Sequence, residues 1–399
     1  MYWRRMFQDC SSSRHTELTG GQVTGQGGRV VQAARQGRGR TLVRVLLALL
    51  VVLGSGELFV RSFVGGPSPQ AYDPEIGFSY QPGSDLFQAK EGFTHLHFNA
   101  LGLNDREPAR KGGRCRVLVI GDSYTAALQV PQDQNFTSVA ERLDPHLDVV
   151  NGGRDGLFLG DMHKVAARLL PQLRPDLVVY VISERAVETD IALPGFSVIV
   201  DPRSGAIVDA VMQVEGQESL KRIFGPVLSR SALATRLSAQ FKPMVVDLIG
   251  QIDSWRHGLS SFGEAQAAQA APGRASVPAP SDVEVLTFIF RRFRAQAPAA
   301  LLYINGLSYA PHRKAAVAAT SSAAEVVAVR AATRAGVSFH DTGEYLVESL
   351  ARTGQPPFGF NNALLPGGHL NAAGHAAVGH ALLDLVDELG PQLASDCRI

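Results

Sequence analysis

Residues 116–125 read RVLVIGDSYT, and this stretch decides the fold. Val117, Leu118, Val119 and Ile120 form a short apolar run bounded by Arg116 and Gly121. A run of that length, rich in β-branched residues, reads as a strand buried on both faces, as in parallel sheets with helices above and below. The chain turns at Gly121 and presents Asp122 and Ser123 at the carboxyl end of the strand, the edge where open α/β sheets bind their ligands. A serine placed there is reachable by substrate, and at neutral pH it needs a base before its hydroxyl can attack.

Further along, strand and helix patterns alternate. DVVNGG at 148–153 ends a second short strand. Met162, Val165, Ala166, Leu169, Leu170 and Leu173 recur at helical spacing, and Pro175 separates that helix from a third strand, Leu177–Ile182. The alternation predicts an α/β fold with a parallel sheet. It breaks over an insertion, 186–285. There SVIVDPRSGAIVDAV reads as a hairpin with Arg203, Ser204 and Gly205 at its turn, and AQAAQAAPGRASVPAPS reads as a flexible loop. The pattern then resumes with a helix ending near Ala295, a strand Leu301–Ile304, a helix through Ala335 and a strand Val337–His340. A final helix carries Val378, Leu382, Leu385, Val386 and Leu389 on one face.

Ahead of this domain, Arg4, Arg5, Arg14, Arg29, Arg35, Arg38, Arg40 and Arg44 face only Asp9 and Glu17, and glycine is frequent, so residues 1–41 read as a disordered basic leader. TLVRVLLALLVVLGSGELFVRSF follows. Its uncharged run Val45–Gly56 is short for a bilayer, but Arg44 can snorkel at one end and Leu58–Val60 extend the other, giving a transmembrane helix over 42–62. No A-x-A cleavage site follows, which favours an uncleaved anchor. The arginine excess puts the leader in the cytoplasm and everything after the anchor outside it, making a single-pass protein of the inner (cytoplasmic) membrane with a periplasmic body. Residues 63–112, including AYDPEIGFSYQPGSD and THLHFNALGLNDRE, read as an extended, turn-rich stem.

Composition excludes other classes. With 38 Lys and Arg against 37 Asp and Glu, the net charge is +1, and nothing calls for a nucleic-acid partner once the leader arginines are assigned to topology. The three cysteines, Cys10, Cys115 and Cys397, have no zinc-like spacing, so no metal site is expected. Cys115 and Cys397 could bridge if the body lies in an oxidising compartment, which spacing alone leaves open.

A base for Ser123 stands at the far end of the chain. In LLPGGHLNAAGHAAVGHALL, His369 lies in a glycine-rich loop just before the last helix, while His375 and His380 within that helix read as packing or surface residues. GDSYT, NGGRDG, LVVYVIS and GHLNAAGH, in this order and spacing, resemble the blocks of the SGNH/GDSL hydrolase family. The leader, the anchor ending in ELFVR, DPEIGFSYQPG and FNALGLNDRE are similar to its membrane-anchored bacterial members. The resemblance implies a flavodoxin-like three-layer sandwich over 113–390 and no cofactor. It implies Ser123 as nucleophile and first oxyanion donor, Gly156 as second donor with Gly153 as a competitor, and His369 as general base.

Two positions depart from the family. Its oxyanion-hole asparagine is missing, and Ser183, Glu184 and Arg185 stand there instead. The Glu–Arg pair resembles relatives tied to O-acetylation of exported polysaccharides; Arg185 is then an oxyanion donor or an anion-binding residue, or simply the ion-pair partner of Glu184. The acid normally three residues before the histidine is Pro366. Either a Ser–His dyad operates, or an acid comes from elsewhere, with Asp341, Glu344, Asp155 and Glu184 as candidates. The expectation is a serine esterase or O-acyltransferase acting on an acylated extracytoplasmic substrate, such as a glycan or another envelope component. The alternative is a catalytically degenerate binding or scaffold protein of an envelope polysaccharide assembly.

Overall fold

The computed structural model describes residues 27–63, 67, 69–73, 75–193, 196–212, 225–227, 230–238, 240–241, 280–309, 316–318, 322–363, 365–393 and 397. The chain divides into two units, Met1–Gly56 and Glu57–Ile399. Most of the expected basic leader and most of the Ala/Pro loop lie outside the described residues. Where the leader is described it is helical: helix α1 runs Gly27–Phe63, beginning well before the expected anchor. Within it, Arg40–Phe63 is a 24-residue stretch containing an 18-residue window of mean hydropathy 2.2, long and apolar enough to cross a membrane.

The stem residues form two antiparallel hairpins, β1 (Gln70–Asp73) with β2 (Gly77–Tyr80) and β3 (Asp85–Gln88) with β4 (Thr94–His97). They belong to the same compact unit as the α/β body. Tyr80 stacks on Phe98 at 4.1 Å, and both pack with Leu96, Ala126 and Leu128 in a small apolar cluster of their own. The hairpins are therefore a layer on the body, built around the residues that follow Ser123.

The body has five sheet strands: β5 (Cys115–Gly121), β6 (Leu147–Asn151), β7 (Leu177–Ser183), β10 (Ala299–Ile304) and β13 (Ser338–Asp341). All pair in parallel, in the spatial order β13-β10-β7-β5-β6. Counted along the chain this is a 2-1-3-4-5 sheet, whose switch point lies between β5 and β7. Alternate residues of β5 serve opposite faces. Leu118 and Ile120 join the core with helices α4 (Met162–Leu173), α6 (Asp282–Arg294) and α7 (Ala323–Ala335). Val117 and Val119 join the core with α3 (Phe136–Leu143) and α9 (Ala372–Leu389). All four side chains are fully buried, each contributing about 1.5–3 kcal/mol of transfer free energy. This is the three-layer α/β sandwich with a parallel sheet that the sequence pattern implies.

Helix ends follow local chemistry. Ser281 and Glu284 form a capping box at α6, Ser322 caps α7, and α7 stops where Gly336 adopts φ +67°. The insertion's hairpin, β8 (Phe196–Val200) and β9 (Ile207–Met212), packs on the body through buried Ala210, and Asp209 pairs with Arg292 of α6 at 2.6 Å; a short hairpin, β11 (Leu307–Tyr309) and β12 (Ala316–Ala318), follows β10.

Cys115, the first residue of β5, is disulfide-bonded to Cys397, 282 residues later. Closing so long a loop restricts the unfolded chain. Cys397→Ser is expected to lower unfolding free energy by about 2–4 kcal/mol and to make the urea midpoint insensitive to reductant. Equal midpoints for wild type with and without dithiothreitol would contradict this.

Candidate active site

Ser123 opens α2 (Ser123–Ala126) directly after β5. Asp122 is its N-cap, accepting the Tyr124 N–H at 3.0 Å, and burial pushes its carboxyl up to about 6. Ser123 is thus the first residue of the helix, where the backbone N–H has no intrahelical acceptor. Among the described residues that N–H takes no hydrogen bond.

His369 arrives from the loop before α9. Asn371 caps α9 by accepting the N–H groups of Ala373 and Gly374, and its amide donates to the carbonyls of Pro356 and Gly359 at 2.6 and 3.1 Å. A Cβ on Gly374 would come within 2.2 Å of the Pro357 carbonyl oxygen, so only glycine allows the helix start to sit this close. Leu370 bridges to Phe358, and Tyr124 donates to the Gly368 carbonyl at 3.3 Å. Held this way, His369 Nε2 lies 2.9 Å from Ser123 Oγ.

The other ring nitrogen meets a residue that the sequence analysis did not consider. His369 Nδ1 is 2.5 Å from Oε2 of Glu91, which also accepts the His369 backbone N–H at 3.3 Å. Glu91 stands in the turn between β3 and β4. Its carboxylate lies in the space beside Gly368: a Cβ there, at φ +92°, would be 2.8 Å from Glu91 Oε1. Asn362 clamps the turn by accepting the Gly92 N–H at 2.9 Å and donating to the Ala89 and Gly92 carbonyls at 3.1 and 3.0 Å. The Thr94 hydroxyl donates to the Leu128 carbonyl at 2.6 Å. The side chains of His369 and Glu91 are 27% and 25% exposed, shielded enough to hold a defined geometry yet open at one side. With Nδ1–H donated to a carboxylate, the neutral imidazole presents a bare Nε2 to the serine hydroxyl.

None of the four acids expected as the orienting group does this. Asp341 ends β13, three strands from β5 and so about 14 Å away at sheet spacing; it accepts the Gly343 N–H at 3.0 Å. Glu184 accepts the Gly306 N–H at 2.7 Å, which turns its carboxylate toward the loop after β10. Glu344 lies in the first turn of α8 (Gly343–Thr353), which follows β13 at the same distant edge, and Asp155 is held by its backbone N–H on the Tyr80 hydroxyl at 3.2 Å. Among the described residues, Glu91 is the carboxylate that bonds to His369.

The oxyanion candidates also separate. Gly153 N–H is spent on Asn151 Oδ1 at 2.9 Å, and a Cβ at Gly153 would strike the backbone of α2. Gly156 is exposed in the loop after β6, at φ +71°, and its N–H takes no hydrogen bond among the described residues. Ser183 caps α5 (Glu184–Thr189) by accepting the Ala186 N–H. Arg185 is exposed on that helix and forms no ion pair with Glu184; burial and the Asp122 charge push the phenol of Tyr124, beside Ser123, up to about 12, and the Arg185 charge only partly offsets this. Of the remaining histidines, His375 is buried, stacks on Phe136 and is pushed by burial down to about 3, while His380 is exposed.

No family model and no curated protein matches the chain. Its fold is similar to those of solved lipolytic proteins and esterases. A lipolytic protein of the G-D-S-L family from Veillonella parvula DSM 2008 matches 68% of this chain over 97% of its own, at 10% identity and TM-score 0.30. A catalytic mutant of an acetylxylan esterase from Geobacillus stearothermophilus matches 69% over 95%, at 14% and 0.34. A two-domain esterase active on acetylated mannans matches 69% over 50%, at 11% and 0.33.

The Gly368 contact yields a test. Gly368→Ala should displace the Glu91 carboxylate, and a misplacement of about 1 Å costs on the order of 10²-fold in rate. The expected result is that loss in ester turnover with an unchanged far-ultraviolet circular dichroism spectrum. Full turnover in the variant would show that the contact is dispensable.

Proposed function

We propose that the chain is an SGNH-type serine esterase or O-acyltransferase acting on acylated glycans or other envelope components outside the cytoplasm. The observation that carries this is the unbroken line of two hydrogen bonds from Ser123 Oγ through His369 to Glu91. Ser123 Oγ attacks the acyl carbonyl as His369 Nε2 takes its proton, and Glu91 holds the imidazole and stabilises its positive charge. The oxyanion is met by the N–H groups of Ser123 and Gly156, with Arg185 as a cation at the rim. His369 then protonates the departing alkoxide, leaving an acyl-Ser123. Water, or a sugar hydroxyl, deprotonated by His369 releases the acyl group and restores the serine.

Glu91 bears on the rival reading, a degenerate scaffold protein. That reading draws on Pro366 standing where the acid belongs and on Arg185 in place of the oxyanion-hole asparagine; Glu91 meets the first need from another part of the chain. The outward placement is supported by the arginines before the apolar run and by the Cys115–Cys397 disulfide, a bond that persists in oxidising compartments.

A fluorophosphonate probe should label wild type and fail to label Ser123→Ala. Glu91→Gln should fold but lose about 10³- to 10⁴-fold in kcat on acetyl or butyryl esters, because an amide cannot enforce the productive tautomer. A wild-type protein that is neither labelled nor active would leave the scaffold reading standing. Separately, a C-terminal reporter active only in the periplasm should be active in fusion with the full chain, and a silent one would overturn the outward placement.

A further inference from the structure

The end of α1 is bonded to the insertion. Glu57 Oε1 accepts the Ala232 N–H at 2.9 Å; Oε2 accepts the Leu233 N–H at 2.9 Å and the Ser231 hydroxyl at 2.8 Å. Arg61 Nε donates to Glu57 at 2.6 Å and its Nη2 to the Arg230 carbonyl at 2.5 Å. Residues 232–238 and 240–241 are helical. Glu57 thus acts as the cap of this helical stretch from 175 residues away, meeting its unpaired N–H groups and the positive end of its dipole.

Glu57 is the first charge after the uncharged run Val45–Gly56. Arg44 and Glu57 are about 20 Å apart along a helix rising 1.5 Å per residue, less than the roughly 30 Å of hydrocarbon in a bilayer. If α1 crosses, the Glu57 carboxylate sits at the outer boundary of the apolar layer, where an unsatisfied charge is costly. Its four donors answer that cost. They also hold the start of the 232–241 stretch at the same depth.

That stretch has the composition for the place. Leu233, Leu237 and Phe241 recur at i, i+4 and i+8, on one helical face. Leu237 is 45% and Phe241 52% exposed, and the neighbouring Val227 54%. Arg230 and Arg236 supply cations of the kind an interfacial helix sets against lipid phosphates. We propose that Val227, Leu237 and Phe241 insert into the headgroup–acyl boundary of the outer leaflet, so that the insertion is a second, interfacial membrane contact. This rests on the membrane-spanning assignment of α1 and is independent of the Ser123 chemistry.

The test uses the full chain with Trp3→Phe and Trp255→Phe, reconstituted in phosphatidylcholine–phosphatidylglycerol vesicles with and without lipid brominated on the upper acyl chain. One tryptophan is introduced at a time: Leu237→Trp, Leu50→Trp inside the apolar run, and Val326→Trp on the exposed face of α7. Bromolipid is expected to quench the L50W and L237W chains about twofold or more and the V326W chain little. Adding Glu57→Ala should reduce the quenching of L237W. Strong quenching of L50W with L237W no more quenched than V326W would overturn the interfacial contact and leave the anchor intact. An unquenched L50W chain would overturn the anchor and this inference together.

Discussion

The contact between the Glu91 carboxylate and His369 Nδ1 joins residues 278 apart in sequence, and the arrangement of the site depends on it. The loop that carries His369 offers no acid of its own, since Pro366, Gly367 and Gly368 precede the histidine. A carboxylate must therefore come from outside, and Gly368 provides its room by lacking a Cβ. Delivering it demands that the β3–β4 hairpin be docked with defined height and register. The Asn362 clamp, the Thr94 bond to the Leu128 carbonyl and the Tyr80–Phe98 stack achieve that docking. The hairpin region is thus part of the site's construction.

The sheet supplies the rest of the frame. A 2-1-3-4-5 order leaves a crevice where neighbouring connections diverge, and Ser123 follows the strand at that switch point. The opposite end of β5 is tied by a buried charge network. Arg116 is 2% exposed, and its guanidinium donates to Asp148 at 2.6 Å, the Leu173 carbonyl at 2.8 Å and the Ala109 carbonyl at 2.7 Å. Arg106 reaches the same Asp148 and also Glu141, both at 2.6 Å. Buried charges are tolerated when they are paired and hydrogen-bonded in this way, and removing one partner would strand the other. Arg116, which marks the polar boundary of a strand in sequence, is thereby part of the core, and it binds the segment after the hairpins to the body.

Several elements were legible because their cause is local. The β5 run, the helical spacing of Met162 to Leu173, the hairpin around Arg203–Gly205 and the apolar face of α9 each follow from periodicity and turn chemistry within about a dozen residues. The pairing of Ser123 with His369 was legible for a different reason: GDSYT and GHLNAAGH resemble the blocks in which the SGNH/GDSL family carries its serine and histidine. Glu91 was not legible. In sequence it is one charged residue in the turn of AKEGF, with no spacing to mark it, and the acids nearer in type or order, Asp341 and Glu184, are bound to backbone N–H groups elsewhere.

By itself, then, the sequence determined the parallel α/β architecture, the apolar stretch near the N-terminus, and the serine and histidine that meet at the sheet edge. The first two follow from patterns of hydrophobicity that act within single elements, and the pair from its likeness to known sequence blocks. Only the tertiary structure decided which carboxylate stands behind the imidazole, that Cys115 bonds to Cys397, that Gly153 is spent on Asn151, and that Glu57 caps a helix in the insertion. These are contacts between side chains far apart in the chain, and their energies depend on distances of about 3 Å that no local pattern encodes.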